Sequence, residues 1–358
     1  MHDLKHLLTS LSLFFFLGNV QARCLIDLIH LKSNNLYLSN HNGVYDIQRT
    51  DIVEIGHSVH LLCKGGQISP AFECKSNSVF SPALSSDACV PPDPVVEVVP
   101  DTSCSTPSSM YRVGFSFNGR FMELYRNCYD ANSLALQHSI YKTYRFINNA
   151  DRPNPKWASD DISFEFDNSY LRDVIKERLS RILNPIQAPS KFDKGHMTPA
   201  SGVIFRWLKV ATFRYLNCIP QHEAVNRGKW KAIETWLNKM VKGTFDTHHR
   251  TYDVLKVCAG ALEVHEVMNK KIYLLTNNNK IPVPKWMYQI VSHLSGDKWV
   301  MLTYNDLSVP TQQEVNQICQ VIPCHSNLSF TPTNAGQTVC CNPYPFITNN
   351  APHLTGVC

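Results

Sequence analysis

Asp193-Lys194-Gly195-His196-Met197-Thr198-Pro199 is followed by Asn217-Cys218-Ile219-Pro220-Gln221, then by Asn226-Arg227-Gly228-Lys229-Trp230, with Glu234 beyond. An imidazole with an ordinary pKa of about 6.5 is largely neutral at neutral pH, so His196 suits the work of a general base. One histidine among fifteen says little alone; its neighbours say more. Gly195 allows backbone conformations that larger residues resist, and Asp193 and Lys194 place an acceptor and a cation in the same short run. After Val225, the residues Trp230, Ile233, Leu237 and Met240 fall on one stripe at helical spacing, and Asn226 stands at the start of that face. Asn226 is then either an inward-facing polar group or the N-cap of the helix, a place that asparagine favours. Glu234 lies two turns further on, about 80° around the helix from Asn226.

Phosphodiester hydrolysis needs a base for water, positive charge to meet the pentavalent transition state, and help for the departing oxygen. A histidine, a metal ion and a basic side chain cover all three. Asn217 and Asn226 follow His196 by 21 and 30 residues. In motif and in spacing the segment resembles the DNA/RNA non-specific endonucleases, the ββα-metal (His-Me finger) family. That family includes bacterial secreted nucleases, mitochondrial endonuclease G and the insect secreted double-strand ribonucleases to which the likeness is nearest. The resemblance covers about residues 104–310, with Asn127-Cys128-Tyr129-Asp130 and Val283-Pro284-Lys285-Trp286 as its outlying parts. It implies His196 as general base and Asn226 as direct ligand of Mg²⁺, with Mn²⁺ as a substitute. Glu234 would act on the cation through water. The usual motif is Asp-Arg-Gly-His, and lysine at its second position also occurs among the insect members. Lys194 is therefore expected at the phosphate as a point charge in place of a two-pronged guanidinium. Arg152 and Arg227 are the next candidates for phosphate contact, with Arg206, Lys209 and Lys229 behind them. Asn217 and Gln221 match family positions near the site, where they are candidates for substrate contact but are expected to buttress the metal-binding helix more than to touch the substrate.

The charge pattern agrees with a polyanionic partner. The chain carries +5 overall, yet Lys191–Lys242 alone holds ten Lys or Arg against three acids. Each phosphate met by such a cation releases condensed counterions. A solvated helix face would explain the same run.

The first 22 residues read as an export signal, with Lys5 ahead of an apolar run from Leu7 to Leu17 that is too short to span a bilayer. Nothing later is apolar enough to do so, and no stable membrane association is expected. Thirteen cysteines downstream suit an oxidising, extracellular compartment. They show no zinc spacing, their odd number leaves one thiol over, and adjacent Cys340 and Cys341 are poor partners for each other. Asn327-Leu328-Ser329 is a glycosylation triplet.

At 44% apolar and 18% charged residues the chain has a globular composition. Residues 23–90 read as a small β-rich module with cysteines at 24, 63, 74 and 89, including strands at Val44–Ile47 and His57–Leu62. Residues 91–103 read as a proline-rich linker and 104–358 as the endonuclease domain. There, Asn118-Gly119 marks a hairpin between Tyr111–Phe117 and Phe121–Tyr125. Asp167-Asn168-Ser169 would cap a helix through Leu171, Val174, Ile175, Leu179 and Ile182. Further strands are expected at Val254–Val257, Lys271–Leu275 and Trp299–Leu302. The expected class is α+β, a ββα core on a mixed or antiparallel sheet.

The function so implied is secreted, metal-dependent endonucleolysis of RNA, DNA or both with little base preference. A catalytically silent secreted protein that binds nucleic acid is the first rival, and a cysteine hydrolase a weaker one. The sequence leaves a homodimer open.

Overall fold

Asn118 and Gly119 both adopt positive φ, 49° and 72°, the conformation a two-residue hairpin turn demands. The turn joins Ser109–Phe117 to Arg120–Asp130, with Phe117 opposite Arg120. The computed structural model describes residues 23–86, 89–162, 166–181, 191–242, 251–331, 333 and 335–358. The stretch read as an export signal lies outside them. Among the described residues no helix is long and apolar enough to cross a membrane.

From this hairpin grows one antiparallel sheet of nine described strands. Their order is Val321–Ile322, Thr338–Cys341, Lys298–Tyr304, Pro284–Ser292, Val254–Val264, Ala135–Tyr144, Arg120–Asp130, Ser109–Phe117 and Val95–Val99. Side chains alternate faces along a strand, and the two cores follow that alternation. Val257, Ala259, Met287, Val291 and Met301 join the larger core. Their neighbours Cys258, Tyr288, Ile290, Val300 and Leu302 face the smaller one, beneath Phe346 and Leu354 of the carboxyl-terminal segment. The protein is thus α+β with its sheet wholly antiparallel.

Within the proline-rich segment, Val95–Val99 is the edge strand of this sheet. The preceding β-rich residues share the larger core with the nuclease region: Leu31, Leu38, Leu61 and Phe72 belong to the same buried cluster as Phe115 and Trp230. Two disulfides, Cys24–Cys74 and Cys63–Cys89, staple these residues internally. Four more, Cys104–Cys128, Cys258–Cys358, Cys319–Cys341 and Cys324–Cys340, lie further on, so the adjacent cysteines 340 and 341 take separate partners. Cys218 is the leftover thiol and is buried.

Two local expectations change. The helix expected across Leu171 breaks there: Phe166–Ser169 is one short turn and Arg172–Ser180 a separate helix, because Leu171 is extended (φ −71°, ψ 130°). Ile182, its expected last apolar residue, is outside the described residues. Lys271–Leu275 is two short strands, Lys270–Lys271 and Tyr273–Leu275, with different partners.

The element that carries the chemistry stands off the large sheet. Phe192–His196 pairs antiparallel with Cys218–His222, His196 facing Cys218. The chain then turns into a helix that begins at Glu223, passes a kinked turn at Asn226–Trp230 and continues as Lys231–Val241. Trp230, Ile233, Trp236, Leu237 and Met240 are buried, which fixes the rotation of this helix and hence the face that Asn226 presents.

Candidate active site

His196 ends its strand with 6% of its surface exposed. Trp157 and Phe213 hold the ring, with centroids 4.7 and 4.8 Å away, and Nε2 is buried with no hydrogen-bond partner among the described residues. Burial, and then the nearby Arg152 guanidinium, push its pKa down to about 3. The imidazole is therefore neutral at any physiological pH.

Gly195 is needed for space rather than for an unusual φ. A Cβ there would lie 2.1 Å from the Cδ of Gln221 on the paired strand. Gln221 is fully buried, so it has nowhere to go. Gly195→Ala is expected to cost about 1–3 kcal/mol of stability by overpacking and to displace the adjacent His196. Denaturant unfolding alongside a cleavage assay checks this, and a variant unchanged in both would show that the ribbon yields.

Asn217 and Gln221 were candidates for substrate contact; both are 0% exposed. Asn217 accepts the Thr198 N–H at 2.9 Å and donates to the Thr198 and Thr212 carbonyls at 2.9 Å each. Its side chain is consumed in holding the turn after His196. Gln221 fills the space over Gly195. Both buttress the site from beneath.

His222 caps the helix, its Nδ1 accepting the Ala224 N–H at 3.3 Å. Asn226 lies inside the helix at φ −58°, ψ −48°, which removes the N-cap reading. Its Nδ2 donates to Asp193 Oδ2 at 2.9 Å, leaving the carbonyl oxygen as the atom free for a cation. Asp193 also receives Arg227 through two bonds of 2.9 and 3.0 Å, and Arg227 pairs with Glu223 at 2.7 Å. Arg227 is thus a strut between strand and helix rather than a free phosphate ligand.

Glu234 is half-buried and accepts a hydrogen bond of 3.3 Å from Ser201. Burial pushes its carboxyl up to about 7, against the pull of Ser201, Arg152 and Lys231. One cleft of about 460 Å³ is lined by His196, Asn226, Glu234, Arg152, Arg227 and Lys231 among others. Arg152 is exposed there and has no carboxylate or hydrogen-bond partner among the described residues; its guanidinium lies 5.2 Å from the Phe213 ring centre.

Lys194 does not line this cleft. Its ammonium donates to the Tyr215 hydroxyl and sits 4.6 Å from the Tyr215 ring and 5.4 Å from that of Trp157. The structure thus brings Arg152, His196, Asn226, Arg227 and Glu234 together and leaves Lys194, Asn217 and Gln221 behind them. Lys209 and Lys229 are buried, tied to the carbonyls of Ala200 and Val203, and of Thr333, respectively. Trp157, Phe213, Ser201 and Lys231 were not singled out from the sequence. They carry no motif, and only folding places them at the ring and the carboxylate.

Among the described residues no group of three or more His, Cys, Asp and Glu side chains could hold a metal. A carboxamide oxygen and a nearby carboxylate are hard donors. Magnesium takes few protein ligands and keeps its waters, so the donor set fits such an ion.

A histidine on a two-stranded ribbon and a carboxamide on the helix that follows form the arrangement expected of a ββα nuclease. The DNA/RNA non-specific endonuclease family matches residues 106–344. The chain is similar to a salivary endonuclease of Lutzomyia longipalpis, 23% identical over 320 residues, spanning 83% of this chain and 74% of that protein. A salivary endonuclease of Culex quinquefasciatus is 24% identical over 246 residues, 66% of this chain and 61% of that one. Salivary protein Tsal2A of Glossina morsitans morsitans is 24% identical over 305 residues, 79% and 72% of the two chains. The chain belongs to the DNA/RNA non-specific endonuclease family, and so is a nuclease.

Proposed function

We propose that the chain is an exported endonuclease that hydrolyses phosphodiester bonds of RNA, DNA or both through the cleft at His196. The observation that carries this reading is the meeting, in one cleft, of a neutral buried imidazole, a carboxamide oxygen, a carboxylate and a guanidinium that has no carboxylate partner among the described residues. His196 accepts the proton of the attacking water. Asn226 would hold a divalent cation, with Mg²⁺ fitting its oxygen donors, and Glu234 would orient the waters around it. When bound, that cation supplies Lewis-acid stabilisation of the charge that builds on the phosphate. Arg152, which lines the cleft where Lys194 does not, would offer a pronged contact to phosphate oxygens. Contacts of this kind are made to the backbone, which supports cleavage with little base preference. Export is supported by six disulfides among the described residues, by the leader-like first 22 residues, and by the salivary names of the relatives.

Incubation with single- and double-stranded RNA and DNA, in Mg²⁺, Mn²⁺ or chelator, tests the reading. Cleavage that chelator stops is expected; no cleavage of any substrate with either ion would leave only the silent, nucleic-acid-binding alternative.

The two pKa shifts predict the pH dependence. His196 is already neutral above about 3, so it sets no limit near neutrality. Glu234 holds its proton up to about 7, and a cation must displace that proton. Below that pH Mg²⁺ binding should weaken as the negative charge of Glu234 is lost. Mg²⁺ should therefore raise the melting temperature more at pH 8 than at pH 6, and Glu234→Gln should abolish the difference. Equal shifts at both pH values would remove Glu234 from the cation's surroundings.

A further inference from the structure

We infer that Asp51, in the amino-terminal β-rich region, is a positioning residue for the cleft, acting by fixing the segment that presents Arg152. The inference rests on the nuclease reading just given. Asp51 is completely buried, and each carboxylate oxygen accepts a different main-chain N–H, from Ile147 at 3.0 Å and from Asn148 at 2.7 Å. Its own carbonyl accepts the Ile26 N–H at 2.8 Å. Asp51 is therefore held by its backbone within one part of the fold and by its side chain grips another. Losing that carboxylate would strand two half-buried N–H groups, which the segment would satisfy by moving toward other acceptors or water.

The gripped segment leads to the chemistry. Ala150 donates to the Ile204 carbonyl at 3.0 Å, and Asp151 pairs with Lys32, again of the amino-terminal region, at 2.8 Å. Arg152 comes next, lying 5.2 Å from the ring of Phe213, which itself packs on His196. No hydrogen bond fixes the Arg152 side chain among the described residues, so its place follows from the backbone beneath it and the ring it lies against. Asp51 does not line the cleft. It acts through Arg152, and the amino-terminal region thereby becomes part of the catalytic apparatus rather than an appendage.

The experiment is a double-variant cycle. Cleavage of one duplex substrate in Mg²⁺ is measured for the full chain and for Asp51→Ala, Arg152→Ala and the pair, well below the melting temperature of the least stable. Arg152→Ala is expected to lower kcat/KM by about 10²-fold and Asp51→Ala by about tenfold, a displaced contact costing less than a missing one. Asp51→Ala should add almost nothing in the Arg152→Ala background. Asp51→Asn, which keeps one acceptor oxygen, should recover part of the loss and serves in place of the alanine variant if the latter does not fold. The same loss in both backgrounds would mean a general structural role, and wild-type rates in a folded Asp51→Ala would remove the role altogether; either overturns the inference while the nuclease reading stands. A wild-type chain that cleaves nothing would defeat that reading, and this inference with it.

Discussion

His196→Ala is expected to lower kcat for phosphodiester cleavage by about 10³–10⁴-fold, toward the upper range of general-base contributions. Among the titratable side chains of the cleft, His196 holds the neutral form across the whole working range of pH, because burial between Trp157 and Phe213 opposes its charging. Lys209, brought down to about 7, could also give up its proton there, but its ammonium is bound to two carbonyls. The variant should fold, since the ring makes few specific bonds and its Nε2 is unsatisfied. The cavity left between Trp157 and Phe213 would cost about 2–3 kcal/mol. Circular dichroism, nucleic-acid binding and cleavage of supercoiled plasmid measure the three effects separately. Undiminished cleavage by a folded His196→Ala would end the assignment of the base.

Asn226→Ala should cost about 10²–10³-fold, the scale for removing one preorganised charge-stabilising group, and should raise the Mg²⁺ concentration needed for half-maximal rate. Asp193→Asn, which changes the partner of both the Asn226 amide and the Arg227 guanidinium, should cost about 10–100-fold, as outer-sphere changes do. Asn226→Asp would keep an oxygen but lose the donor to Asp193 and set two carboxylates together, with Arg227 partly neutralising them. Partial activity is expected. Magnesium titrations of all three give the ranking, and an Asn226→Ala variant with wild-type magnesium dependence would place the cation elsewhere.

The unequal legibility of these residues has a physical basis. Asn118-Gly119 could be read as a turn because positive φ at both positions is a local demand that few residues meet. The stripe from Trp230 to Met240 could be read because burial of one helix face leaves a periodic trace. Asp193, His196 and Asn226 sit on adjoining elements, so their spacing along the chain nearly determines their spacing in the fold. Arg152 is different. It is 44 residues before His196, on a segment bonded to Asp51 and Ile204, and it lines the cleft through contacts made only in the folded chain.

Lys194, Asn217 and Gln221 lie outside the lining of the cleft for a different reason. Each lies in a motif, and the motif fixed the type of residue without saying which way its side chain is used. Asn217 satisfies buried main-chain groups, Gln221 occupies the space that Gly195 vacates, and Lys194 is drawn to the rings of Tyr215 and Trp157. Cysteine composition implied oxidation and one spare thiol, but which pairs form depended on strands that meet only in the folded chain.

By itself the sequence determined the ββα element, the residues proposed as its base and its metal ligand, and an oxidised globular class, since each of these leaves a periodic or closely spaced pattern. The tertiary structure decided which cations line the cleft, which polar residues are merely buried, and that the amino-terminal region shares a core and hydrogen bonds with the segment before Arg152. Those outcomes turn on hydrogen bonds and packing between residues far apart in the chain, where spacing holds no information about distance.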